Sequence, residues 1–254
     1  MTNVSKDRLK RIRRRFISCP VGLANTCGLS LLLVLSLSLV APSLGRAADA
    51  NQFLRPSDSG RILRVACVGD SITYGAGVEN RDQNHYPQIL GQCLGAKFET
   101  RNFGVSGATL LKMGDLPYWK QKAFEEVNRY EPDAVILKLG TNDSKPQNWK
   151  HQAQFGQDLK AMISHFLALP TKPKIWICLP APVYQDRWGI NEKIVKDEII
   201  PIVRQVAQDL KIPIIDLHAG LSNRPEWFPD GVHPNAIGAA NLAQIVCYSL
   251  LEHP

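Results

Sequence analysis

The sequence predicts an α/β fold, a three-layer α/β/α sandwich around a five-stranded parallel sheet. Three observations predict it. Short apolar runs alternate five times with longer segments whose apolar residues recur at helical spacing, the pattern of right-handed crossovers covering both faces of a parallel sheet. The polar, glycine-containing stretches fall at the carboxyl ends of those runs, where open parallel sheets hold their ligands. The 254-residue chain also has room for one such domain of about 200 residues after a distinct leader.

The strands are expected at residues 62–68, 98–103, 133–139, 175–179 and 212–217. Helices are expected at 86–94, 119–130, 152–169, 191–210 and 234–251. Phe155, Leu159, Met162, Ile163 and Phe166 form one stripe of the third helix. Pro201 is placed to kink or divide the fourth, and Pro234 suits the first turn of the fifth. No internal repeat or low-complexity tract is visible after the leader.

The leader is residues 1–50. A basic segment from Lys6 to Arg15 precedes an uncharged run from Gly28 to Ala41, then Pro42 and a small-residue stretch ending Ala48-Asp49-Ala50. This is the pattern of an export signal, with Ala48-x-Ala50 as one cleavage point. Counted back to Val21, the apolar stretch is also long enough for an uncleaved membrane anchor. Arg13-Arg14-Arg15 partly resembles a twin-arginine signal. In either case the body, residues 61–254 after a linker at 51–60, is expected outside the cytoplasm, periplasmic or secreted. The net charge of +7 does not mark a nucleic-acid binder, because residues 1–50 carry +6 of it and leave +1 for the rest. Membrane contact is expected only through the leader.

Of six cysteines, Cys19 and Cys27 lie in the leader. Cys67 and Cys178 sit in apolar runs as small hydrophobes. Cys93 and Cys247 fall on helical stretches that can share one face of the sheet and are candidates to pair in an oxidising compartment. No Cys-x-x-Cys or Cys/His ligand spacing appears, and the reading calls for no metal and no cofactor.

Each polar stretch has an ordinary use when taken alone. Gly69-Asp70-Ser71 is compatible with a turn and helix cap, Thr141-Asn142-Asp143 with a plain turn, and Asp230-Gly231-Val232-His233 with a turn before a helix. Together they describe a hydrolytic site. Ser71 supplies a hydroxyl that needs a base, and His233 titrates near neutrality. Asp230, three residues earlier, is placed to fix the imidazole tautomer. The backbone N–H of Ser71, the N–H of Gly107 and the amide of Asn142 come from three strand ends as oxyanion donors. Asp70 is expected to hold the turn.

Val68-Gly69-Asp70-Ser71-Ile72-Thr73, Asn102-Phe103-Gly104-Val105-Ser106-Gly107, Gly140-Thr141-Asn142-Asp143 and Asp230-Gly231-Val232-His233-Pro234 resemble the four motif blocks of the SGNH (GDSL-type) esterase and lipase family, in the family's order. The resemblance implies a flavodoxin-like sandwich, a Ser71–His233–Asp230 triad, and an oxyanion hole of Ser71, Gly107 and Asn142. The family's usual leucine after the serine is Ile72 here. The run from Lys138 to Trp149 is similar to bacterial members grouped with sialate O-acetylesterases and acetylxylan esterases.

The implied activity is ester hydrolysis, with O-acetyl groups on carbohydrate as the leading substrate. Trp149, Tyr184 and Trp188 are candidate substrate contacts, with Asp186, Arg187 and Lys138 nearby, because aromatic faces beside polar groups suit a sugar ring. Trp227-Phe228 is equally suited to packing. Longer-chain lysophospholipase or thioesterase chemistry, acyl transfer to a sugar, and a non-catalytic sugar-binding module are the alternatives. Ser106 lies in an imperfect elbow sequence, and Asp216-Leu217-His218 offers a second Asp/His pair.

Overall fold

The computed structural model describes residues 53–56 and 60–251. The expected leader and half of the linker lie outside them. Five parallel strands form one sheet: β1 (Leu63–Gly69), β2 (Phe98–Gly104), β3 (Ala134–Lys138), β4 (Lys174–Cys178) and β5 (Ile214–Ile215). Their spatial order is β2-β1-β3-β4-β5, a flavodoxin-like arrangement. The α-helices are α1 (Ser71–Tyr74), α2 (Arg81–Asn84), α3 (Tyr86–Leu94), α4 (Lys122–Tyr130), α5 (Pro146–Trp149), α6 (Phe155–Leu167), α7 (Glu192–Ile194), α8 (Ile200–Leu210), α9 (Leu217–Gly220) and α10 (Ala236–Leu250).

The central strands are buried on both faces, and so they read as unbroken apolar runs. Side chains alternate across β1. Ala66 and Val68 join Val127, Leu159, Met162, Phe166 and Val203 from α4, α6 and α8 in one core layer. Val65 and Cys67 join Leu90, Leu242 and Val246 from α3 and α10 in the other. A disulfide between Cys93 and Cys247 ties α3 to α10, with Cα atoms 6.4 Å apart. Cys67 and Cys178 are free and buried.

The fourth expected helix is divided near Pro201, as the sequence reading allowed, while β5 and the last helix depart from their expected bounds. The region 191–210 is divided into α7, a π turn at Val195–Ile199 and α8, with Pro201 in the first turn of α8. Proline has no N–H for the ladder, so the chain widens just before it. β5 is only two residues long, because Asp216 accepts the N–H of Ala219 at 2.8 Å and caps α9. The last helix starts at Ala236 behind Asn235, whose side chain accepts the Gly238 N–H at 3.0 Å. Pro234 therefore precedes the cap and does not sit in the first turn.

Candidate active site

The site lies at the carboxyl ends of β1, β2 and β3. Asp70 follows the last residue of β1 and caps α1, accepting the Ile72 N–H at 3.0 Å, so Ser71 becomes the first residue of a one-turn helix. That turn rests directly on β2. A methyl group on Gly104 would come within 2.6 Å of the Thr73 carbonyl carbon, so only glycine allows the approach. Asn102 secures the same junction, accepting the Gly104 N–H at 2.9 Å and donating to the Tyr74 carbonyl at 3.3 Å.

After β2 the chain turns through Gly107, whose φ of +84° lies in the left-handed region. The loop is held from β3. The buried Asp143 carboxylate accepts the N–H groups of Leu110 and Leu111 at 3.0 and 2.8 Å. Asn142 donates one amide hydrogen to the Ala108 carbonyl at 3.1 Å, leaving the second for a ligand. Among the described residues the Gly107 N–H has no hydrogen-bond partner. Desolvation pushes the Asp143 carboxyl up to about 7 despite those two backbone donors, and the nearby Asp70 adds to the rise. Sequence reasoning took Asp143 for part of a plain turn. Its signal was a carboxylate in the short turn that follows an apolar strand.

The remaining side chains arrive from the 230–233 turn. His233 Nε2 lies 2.8 Å from Ser71 Oγ, and His233 Nδ1 lies 2.9 Å from Asp230 Oδ2. The other Asp230 oxygen accepts the N–H groups of Val232 and His233 at 2.9 and 2.7 Å. Burial alone would raise this carboxyl, but those two N–H donors and the imidazole outweigh it and hold Asp230 below the ordinary carboxylate range. Ser71 is itself buried, so its hydroxyl meets the imidazole out of bulk water.

The aromatic candidates separate. Trp188 is 54% exposed, and its ring centroid stands 5.3 Å from that of His233. It occupies the tip of a tight turn closed by Ile190 N–H donating to the Arg187 carbonyl at 2.8 Å, and its φ is +52°. A left-handed backbone is strained for so bulky a residue and persists only where the surroundings fix it. They do so at both ends. Asp186 accepts the Asn191 amide at 2.7 Å and the Glu192 N–H at 2.9 Å, while the Tyr184 N–H donates to the Gly231 carbonyl at 2.7 Å. Arg187 lays its guanidinium 4.8 Å over the Trp188 ring.

Trp149 does not belong with it. It is buried, packs edge-on against Phe155 at 5.5 Å, and donates to Glu198 at 2.7 Å, because α5 turns it into the core. The Tyr184 hydroxyl is likewise committed, donating to the Leu221 carbonyl and accepting the Arg224 N–H, with its ring on Phe228. Lys138 is not at the surface either. It is completely buried against Asp70. Trp227 packs on Gly238, and Phe228 is buried.

The competing pairs do not form. Ser106 is exposed, with no imidazole beside it. His218 meets Glu192 at 2.8 Å, whereas Asp216 pairs with Arg204. His85 caps α3 and His165 meets Asn128, so neither ring is bonded to the serine. Among the described residues no group of three or more metal-ligating side chains is present.

Strand order, together with a serine, histidine and aspartate at the strand ends, places the chain in the SGNH class of α/β/α proteins. Residues 67–240 match the GDSL-like lipase/acylhydrolase family, and the chain belongs to it. It is 41% identical over 213 residues to an acetylxylan esterase of Xylanibacter ruminicola, an overlap of 77% of this chain and 44% of that protein. The chain thus spans under half the length of that relative. Two solved structures share the fold. An aryl esterase of M. smegmatis matches with a TM-score of 0.61 at 22% identity, over 74% of this chain and all of the other. A carbohydrate acetylesterase from Sinorhizobium meliloti matches with a TM-score of 0.60 at 18% identity, over 73% and 97%.

Proposed function

We propose that this chain is a serine esterase that removes O-acetyl groups from carbohydrate. The observation that carries the reading is the unbroken path from Asp230 to His233 to Ser71, with contacts of 2.9 and 2.8 Å. His233 Nε2 takes the Ser71 proton as Oγ attacks the ester carbonyl. Asp230 holds the proton on Nδ1 and stabilises the imidazolium. The N–H of Ser71, the N–H of Gly107 and the second amide hydrogen of Asn142 receive the oxyanion. His233 then gives its proton to the departing sugar oxygen, and the acetyl group stays on Ser71. Water attacks this acyl-enzyme with His233 again as base, releasing acetate.

A sugar leaving group is favoured by Trp188, an exposed aromatic face fixed beside the imidazole that protonates that group. The name of the Xylanibacter relative supports the same substrate class. Export is part of the reading. The Cys93–Cys247 disulfide suits an oxidising compartment, in keeping with the leader-like residues 1–50. Fractionation and N-terminal sequencing of the mature protein test that part.

The decisive experiment is hydrolysis of p-nitrophenyl acetate by wild type, Ser71→Ala and Ser106→Ala, followed by acetate release from acetylated xylan and O-acetyl sialic acids. Loss of turnover in Ser71→Ala alone is expected. Full activity in that variant sinks the mechanism. An optimum at acyl chains of about eight carbons or more overturns the acetyl assignment and favours a lipid substrate.

A further inference from the structure

Beneath the serine lies an ion pair that the mechanism does not use. Lys138, the last residue of β3, and Asp70, the residue before Ser71, are both completely buried. Lys138 Nζ stands 3.0 and 3.1 Å from the two Asp70 carboxylate oxygens and 3.4 Å from Thr141 Oγ1. The register explains the reach, since Gly69 on β1 lies directly beside Lys138 on β3.

Stability is a poor reason for such a pair. Two charges taken out of water regain little more than they lose, and apolar side chains of similar volume usually serve as well or better. An apolar residue here would simply continue Ala134-Val135-Ile136-Leu137. What an apolar residue could not do is hold two turns at once. Asp70 is followed by Ser71, and Thr141 is followed by Asn142, so each anchor of the Lys138 ammonium is one residue from a group that touches the reacting ester.

We infer that Lys138 is a positioning residue, locking the turn that carries the serine hydroxyl to the turn that carries the Asn142 amide. It touches no substrate and acts through Asp70 and Thr141. The inference rests on the proposed roles of Ser71 and Asn142. A misplacement of about 1 Å between such groups is enough to cost about 10²-fold in rate.

Three variants test it with p-nitrophenyl acetate kinetics and thermal melting. Lys138→Met leaves a buried carboxylate without its counter-charge, so both kcat and Tm are expected to fall, kcat by about 10²-fold with KM nearly unchanged. The double variant Asp70→Asn with Lys138→Met removes both charges but keeps an acceptor for the Ile72 N–H. Its Tm is expected to recover while its kcat stays low; recovery of kcat along with Tm overturns the inference. Thr141→Val disturbs folding least and cuts only the link to the Asn142 turn. A several-fold fall in kcat at constant KM is expected there, and wild-type kcat in that variant overturns the inference even if the others fail to fold. Ser71→Ala is run beside them. Ser71-independent activity, or an inactive wild type, defeats the reading of the site and this inference with it. Ser71-dependent activity that ignores all three changes defeats this inference alone.

Discussion

Replacing Asp230 by asparagine separates the carboxylate's effect on the imidazole from its part in the turn. The carboxylate has three partners: the N–H groups of Val232 and His233 on Oδ1, and His233 Nδ1 on Oδ2. An asparagine carbonyl can take over the first two. Its amide then faces Nδ1 as a donor, so Nδ1 must accept and the ring proton moves to Nε2, 2.8 Å from Ser71 Oγ. In that tautomer Nε2 donates to the serine instead of taking its proton. The cost in rate is about 10⁴-fold, with KM little changed. The cost in stability is small by comparison. One charge-assisted bond of the three is lost at a partly exposed carboxylate, worth about 1 kcal/mol after screening, or a few degrees in Tm for a domain of about 200 residues. The assay is steady-state hydrolysis of p-nitrophenyl acetate with thermal melts of the same preparation. A variant within tenfold of wild-type kcat refutes the reasoning, because Asp230 would then not govern the tautomer. A collapse of Tm refutes it differently, since the turn would depend on the charge and not on the acceptor.

Trp188→Ala is expected to raise KM for acetylated xylo-oligosaccharides about tenfold, the loss of a ring contact worth about 1–1.5 kcal/mol, and to raise KM for p-nitrophenyl acetate far less; equal changes on both would mean that the ring supports His233 and not the sugar. Burial holds the Asp143 proton up to about pH 7, whereas the unfolded chain releases it near 4, so this group's stabilising contribution is full below about pH 4 and lost as pH rises through 7. Denaturation midpoints of Asp143→Asn should therefore lack a downward slope that wild type shows over that window. Reduction, or the Cys93→Ser and Cys247→Ser pair of changes, is expected to cost about 2–5 kcal/mol, seen as a lower Tm with kcat retained at assay temperature.

The parts of the site legible in the sequence are those fixed by local chain geometry. The Asp230–His233 pairing needs only three residues and a glycine turn, and the cap at Asp70 needs only two. The sheet was legible because its central strands are apolar on both faces, whereas β5 fell short of its expected length through a competing helix cap at Asp216. What depended on the register between neighbouring strands was not legible. Lys138 looks like a strand-end polar group until β3 is known to lie beside β1 in a register that brings it against Asp70. The disulfide was within reach of the sequence, since Cys93 and Cys247 fall on helical stretches able to share a face, and the structure joins them between α3 and α10.

Trp149 and Trp188 make the contrast sharpest, since both are tryptophans beyond strand ends. A short helix turns the first inward to Glu198. A left-handed turn holds the second outward over the histidine. No propensity rule places a tryptophan at positive φ. The conformation exists because Asn191, Glu192 and Gly231 clamp the loop on either side. The same Gly231 lies inside the Asp230–His233 turn, so the aromatic face and the imidazole are positioned by one piece of backbone. Loosening that backbone should therefore disturb binding of the leaving group and its protonation together, whereas Trp188→Ala removes the aromatic face and leaves the backbone ties in place.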